Sequence, residues 1–258
     1  MKIQYFKVFV MVTAVMLLTS VSVRASETDD RIEASAKKSY VFKTYLRDDS
    51  IKTQSKDGVV TLTGTVKEAS HKSLAQETVA SLPGVKSVDN QLEFKGEAPA
   101  ENSDAWISIQ VKTSLLYNRN VSGINTQVFV TDGVVTLKGE AGNAAQKDLA
   151  GEYAKDINGV KDVKNEMTIA KIPTEPKQTI GEKIDDASIT AQVKMALLSH
   201  HSTSAFKTGV TTTNGIVTLS GKTGSPAAKE MAGKVTSDVN GVTKVINNMT
   251  IDEILSMK

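Results

Sequence analysis

Apolar and polar residues alternate along this 258-residue chain in an order that occurs three times. Ile107, Val111 and Leu115, and again Ile189, Val193 and Leu197, stand four apart behind Asp104 and Asp186. That is the spacing of a helix with an acidic residue at its N-terminus. Ile32, Ala36 and Tyr40 take the matching places nearer the start. An alternating stretch follows, clearest at Val128 and Val130, and an Asp-Gly or Asn-Gly pair then leads into a second β-favouring run. The three versions read DGVVTLTG from Asp57, DGVVTLKG from Asp132 and NGIVTLSG from Asn214. Two such runs joined by Asx-Gly predict a hairpin, because both turn residues need positive φ and Gly and Asx tolerate it.

A second helical pattern comes next: Ala75, Val79, Leu82; Ala150, Ala154, Ile157; Met231, Val235, Val239. It stops at Gly84, Gly159 and Gly241, each 26 residues after its turn glycine, Gly58, Gly133 or Gly215. A glycine just past the last apolar residue supplies a left-handed helix cap. The closing strand alternates as Asn90, Leu92, Phe94; Asn165, Met167, Ile169; Asn247, Met249, Ile251. Each unit is therefore α-β-β-α-β, and two helices cover one face of a small three-stranded mixed sheet, an α+β layer pair. The units fall at 29–95, 102–170 and 183–252, with the Pro- and charge-bearing connectors KGEAPAEN and AKIPTEPKQTIGEK between them. A unit of about 70 residues buries only about 60% of its unfolded surface. Docking between units would add stability, and the sequence leaves open whether they dock.

The first residues follow a different rule. Lys2 and Lys7 precede an apolar run from Val8 to Leu18, and Val23-Arg24-Ala25 offers a cleavage site. That order predicts a secretory signal peptide over 1–25, cleaved after about Ala25, whose 11 apolar residues are too few to span a bilayer. Removing it deletes three basic residues and no acids, so the formal charge falls from +2 to −1. A near-neutral mature chain lacks the footprint of a nucleic-acid binder. The sequence has no cysteine, hence no disulfides and no acylation site of the lipoprotein kind. The expected product is soluble in an exported compartment.

The element order, the DGVVTLxG hairpin, the later Gly-Val and the closing V-x-N-x-apolar strand resemble the BON domain, in all three units. A leader followed by tandem units without cysteine is similar to the family's osmotically inducible periplasmic members. The resemblance implies a non-enzymatic protein of the periplasm that associates with phospholipid or the cell envelope and serves in osmotic or envelope stress. The alternative is a chaperone-like holdase or scaffold for exported proteins.

Candidate chemistry is sparse. Gly221-Lys222-Thr223 looks like the end of a phosphate loop, but five residues separate Gly215 from Gly221 where that loop needs four, and the other copies read GTV and GEA. His200-His201 reads as a surface pair, since a closed metal site needs three or four convergent ligands. Asn90, Asn165 and Asn247 read as side chains that satisfy backbone groups. No Ser/His/Asp set is suggested by spacing, so no catalytic residue, metal site, cofactor or small-molecule substrate is expected. Trp106, the only tryptophan, stands where the other copies have Arg31 and Ser188, which implies an outward or boundary position. With Ile109 and Lys112 it forms a candidate binding face. There an indole would seat at a membrane interface and a lysine, like Lys37 and Lys194 at the equivalent places, would meet a lipid phosphate. The alternative is that Trp106 packs against a neighbouring unit or linker. The expected partners are anionic phospholipid headgroups or envelope proteins, bound weakly and through several units at once.

Overall fold

The computed structural model describes residues 27–96, 99–121, 126–170, 184–200, 203 and 208–252, so the leader lies outside the described residues. Unit 1 contains α1 (27–38), α2 (Tyr40–Thr44), β1 (Ser50–Lys56), β2 (Val59–Val66), α3 (Ala69–Ala80) and β3 (Ser87–Phe94). Unit 2 contains α4 (Asp104–Tyr117), β4 (Thr126–Thr131), β5 (Val134–Ala141), α5 (Ala144–Lys155), β6 (Asp162–Asn165) and β7 (Thr168–Ile169). Unit 3 contains α6 (Asp186–Ser199), β8 (Gly209–Thr213), β9 (Ile216–Ser220), β10 (Lys222–Thr223), α7 (Pro226–Ser237), β11 (Lys244–Asn247) and β12 (Thr250–Ile251).

In every unit the hairpin strands pair antiparallel and the closing strand adds in parallel to the second of them, which makes the sheet mixed. The repeated phrase has a clear physical basis. Its second Val and its Leu point inward as Val60 and Leu62, Val135 and Leu137, Val217 and Leu219, all fully buried. Its glycine has positive φ, and a Cβ at Gly58 would lie 2.7 Å from the carbonyl oxygen of Gly84. Gly133 meets Gly159 and Gly215 meets Gly241 in the same way, so the two glycines of each unit touch across the hairpin turn and the helix end.

The acidic residue at each helix start closes this turn. Asp29 accepts from the amides of Asp57 and Gly58, Asp104 from those of Asp132 and Gly133, and Asp186 from those of Asn214 and Gly215, at 2.7 to 3.0 Å. The N-caps themselves lie one residue earlier, at Ser103 and Asp185. The asparagines tie the closing strand to the second helix. The amide nitrogens of Asn90, Asn165 and Asn247 donate to the carbonyls of Lys72, Lys147 and Lys229, and their oxygens accept from the amide two residues on.

Two expectations fail in unit 1. Its first helix does not run through to Tyr40; it breaks at Ser39, which caps α2 instead. Its first strand has Thr53 and Ser55 where unit 2 has Val128 and Val130, a less apolar pattern that predicts fraying, yet all seven residues of β1 pair. The Ser55 hydroxyl donates to Asp29 at 2.6 Å and its amide to Glu33 at 2.9 Å, so side-chain hydrogen bonds replace apolar packing there.

The units dock. Units 2 and 3 share one continuous core, in which Ile107, Val111 and Leu115 of α4 join Ile189, Val193 and Leu197 of α6. The opposite side of α6 presents Ala187, Ala191 and Met195 to the core of unit 1. An amphipathic helix normally buries one stripe. This one buries two, one for each neighbour.

Candidate functional site

Ser103 caps α4 by accepting from the Trp106 amide, which sets the indole on the first turn. Trp106 is half-buried and packs on the edge of the core of units 2 and 3. Ile109, three residues on, is also half-buried, and Lys112 is exposed and unpaired among the described residues. The face of α4 therefore combines a partly open indole, a partly open aliphatic group and a free ammonium.

The equivalents differ sharply. In unit 1, Arg31, Ala34 and Lys37 are all exposed. In unit 3, Ser188 and Ala191 are fully buried against unit 1, and Lys194 forms an ion pair with Glu77 at 2.6 Å. The polar counterparts Arg31 and Ser188 imply an outward or boundary position for Trp106, and the half-buried indole lies at such a boundary. Ser188 itself is polar for another reason: its hydroxyl accepts from the amide of Val41 in the docked unit.

His200 is not a surface residue either; it is 2% exposed, at the junction of units 2 and 3. Its Nδ1 lies 2.8 Å from Asp156 and its Nε2 shares a hydrogen bond of 3.2 Å with the Ser114 hydroxyl. The order Ser–His–Asp is that of a nucleophilic triad. Here the hydroxyl faces inward: Ser114 is 3% exposed, and the cleft of about 340 Å³ that reaches His200 and Asp156 is not lined by Ser114. The array satisfies buried polar groups across a junction.

That junction has its own symmetry. Asn118 bridges to Val239 and His200 bridges to Ile157, and the repeat places His200 where Asn118 stands and Val239 where Ile157 stands. Two units thus meet through the same patch on each, the isologous contact expected of a two-fold dimer, here within one chain. Around it, Asp238 accepts from Asn120 and from the Tyr153 hydroxyl, and Arg119 donates to the carbonyls of Ser237 and Val242. Burial pushes the Tyr153 phenol above its ordinary range, with its bond to Asp238 adding to the shift.

The remaining candidates have structural roles. Lys222 pairs with Asp252 at 2.9 Å and Thr223 is buried in a strand, so the GKT string forms no loop. Among the described residues no cluster of three or more potential metal ligands occurs, and no helix is long and apolar enough to cross a membrane.

Three layer pairs of one design, docked through helix faces, define a tandem α+β repeat protein. Residues 28–96, 103–171 and 185–253 each match the BON domain family, and the chain belongs to it. It is similar to Osmotically-inducible protein Y of Escherichia coli (strain K12), 31% identical over 143 residues, covering 54% of this chain and 71% of that protein. It is also similar to the Outer membrane lipoprotein DolP of Haemophilus influenzae (strain ATCC 51907 / DSM 11121 / KW20 / Rd), 31% identical over 164 residues, 63% of this chain and 74% of that one. A 21 kDa hemolysin of Actinobacillus pleuropneumoniae is 35% identical over 119 residues, 46% of this chain and 58% of its own length.

Proposed function

We propose that this chain is an exported, non-enzymatic protein of the bacterial envelope that meets anionic phospholipid surfaces through the face of α4 carrying Trp106, Ile109 and Lys112. One observation carries the reading: in unit 2 this face stays partly open, with an indole at its centre, while the same face of unit 3 is covered. Half-buried indoles suit the membrane interface, where an apolar ring body and a polar N–H both find partners. The basic face of unit 1 around Arg31 and Lys37 supplies a second, weaker contact. A net charge of −1 without the leader disfavours adsorption by charge alone, so apolar insertion at Trp106 has to contribute. The names of two relatives, an osmotically inducible protein and an outer membrane lipoprotein, support a role in osmotic or envelope stress.

Flotation of the protein from residue 26 onward with phosphatidylglycerol vesicles tests this. Wild type is expected in the vesicle fraction, with Trp106→Ala reducing it several-fold. Equal absence of both from that fraction would remove the lipid claim.

A second reading rests on the exposed apolar side chains of the sheets, among them Phe129, Ile169, Ile246 and Ile251. They suit a holdase that shields exported proteins. Suppression of client aggregation by a protein that ignores vesicles would favour it.

A further inference from the structure

The break in the first helix of unit 1 has no counterpart in α4 or α6, which run unbroken through the same positions. Its effect is seen on unit 3. The amides of Tyr40 and Val41, at the start of α2, point out of unit 1. They donate to the Asp185 carboxylate at 2.8 Å and to the Ser188 hydroxyl at 3.1 Å. The Tyr45 hydroxyl donates to Gln192, and Glu77 of α3 pairs with Lys194. Beneath these contacts Ala187, Ala191 and Met195 of α6, two of them small, and Tyr117 of α4 join the core of unit 1, where the Tyr45 and Tyr117 rings meet edge to face with centroids 5.2 Å apart. Unit 2 cannot receive unit 1 in this way. It has Ser103 in place of the Asp185 carboxylate, and an indole at Trp106 in place of the Ser188 hydroxyl.

The covered positions Ser188, Ala191 and Lys194 are the equivalents of Trp106, Ile109 and Lys112. We propose that unit 1 is a removable cover on a second phospholipid-facing surface, the outer side of α6, so that the chain holds one such face open and one closed. The inference rests on the function proposed above for the face of α4. The contact has the composition of a releasable one. Four polar contacts ring a small apolar centre of Ala187, Ala191, Met195 and Tyr117, and the ion pair lies at the rim, where the side chains of Lys194 and Glu77 keep 29% and 28% of their surface exposed. Rim ion pairs of this type are screened by salt. Once uncovered, α6 offers Ala187, Ala191 and Met195 as a shallow apolar strip, with Lys194 freed from Glu77 to meet a lipid phosphate.

The test is made in the full chain from residue 26, in a Trp106→Ala background that silences unit 2, with phosphatidylglycerol vesicles as probe. Tyr45→Ala weakens the docking from the unit 1 side without a change of charge. Ser188→Trp displaces Val41 and gives α6 the indole of unit 2. Hydrogen exchange at the amides of Tyr40 and Val41 reports whether each variant opens, and a thermal melt reports whether it stays folded. Opened variants are expected to recover vesicle binding several-fold over Trp106→Ala alone.

Variants that open and bind no better than Trp106→Ala alone would overturn the cover, and so would two folded variants that never open. In either case a loss of wild-type binding on Trp106→Ala leaves the reading of unit 2 standing. If neither wild type nor any opened variant binds, the lipid reading itself fails and the cover fails with it.

Discussion

Asp104 holds the amide of Gly133 at 2.8 Å, although 29 residues separate them. The first residue of a helix thereby fixes the turn of the hairpin that follows it. Asp104→Ala should lower the stability of unit 2 by about 1–3 kcal/mol, the cost of leaving turn amides without a charged acceptor. Urea unfolding of wild type and variant measures it, and an unchanged midpoint would show that water replaces the carboxylate at no cost.

The same device in unit 1 predicts a pH dependence. The bond from Ser55, followed by the amide of Gly58, holds the Asp29 carboxyl below its ordinary value. A depressed folded pKa means that the stabilisation is complete above the unfolded pKa of about 3.8 and is lost as pH falls through the folded value. Acid titration of unit 1, followed by amide signals of the Asp57–Gly58 turn, should show this loss below about pH 4. Asp29→Asn should flatten the profile over that window.

Asn165 donates to the carbonyl of Lys147 at 2.6 Å and accepts from the amide of Met167 at 3.3 Å. Asn165→Asp sets a carboxylate oxygen against that carbonyl and should cost about 2 kcal/mol or more. Asn165→Ala should cost less, because it removes the bond without adding a repulsion. Thermal melts of the two variants give the order, and the reverse order would refute the assignment of the amide nitrogen.

His200→Ala removes a buried ring from between Asp156 and Ser114 and should destabilise the junction of units 2 and 3 by about 2–4 kcal/mol. His200→Asn, which installs the residue that unit 2 carries at Asn118, should recover part of the loss. Hydrogen exchange at the amides of Arg119 and Asn240, which donate across the junction to Asp238 and Tyr117, reads it directly, and unchanged protection in His200→Ala would place the stability elsewhere.

Tyr45, Tyr117 and Tyr153 are all pushed upward, in each case chiefly by burial. A raised phenol contributes stability that is intact below its unfolded value near pH 10 and is lost as pH rises toward the folded one. Spectrophotometric titration should therefore show these three ionising only together with unfolding, in a single steep step above the ordinary range. A gradual rise accounting for every tyrosine near pH 10 would contradict their placement.

The elements of each unit were legible because their signals are local. Val60 and Leu62 alternate on a strand, Gly58 and Gly84 mark turns, and Asn90 recurs at one interval from them. The docking was not legible, because its signals look ordinary. Ala187, Ala191 and Met195 form a second apolar stripe only once the wheel of α6 is drawn against two neighbours, and Ser188 reads as surface until Val41 is seen to donate to it. His200 read as exposed because its partners, Asp156 and Ser114, belong to another copy. One clue was available: Asp185, Ser188 and Ala191 stand where unit 2 has Ser103, Trp106 and Ile109, and these differences separate the unit that accepts a neighbour from the one that does not.

Burial of α6 on two sides sets a timetable for biosynthesis. Synthesis begins at the N-terminus, so units 1 and 2 are finished while residues 186–199 are still to come, and each then shows water the apolar patch meant for that helix. Early chains carry this vulnerability until the final third arrives. Loss of the tail should therefore yield an adhesive fragment rather than a shorter working one.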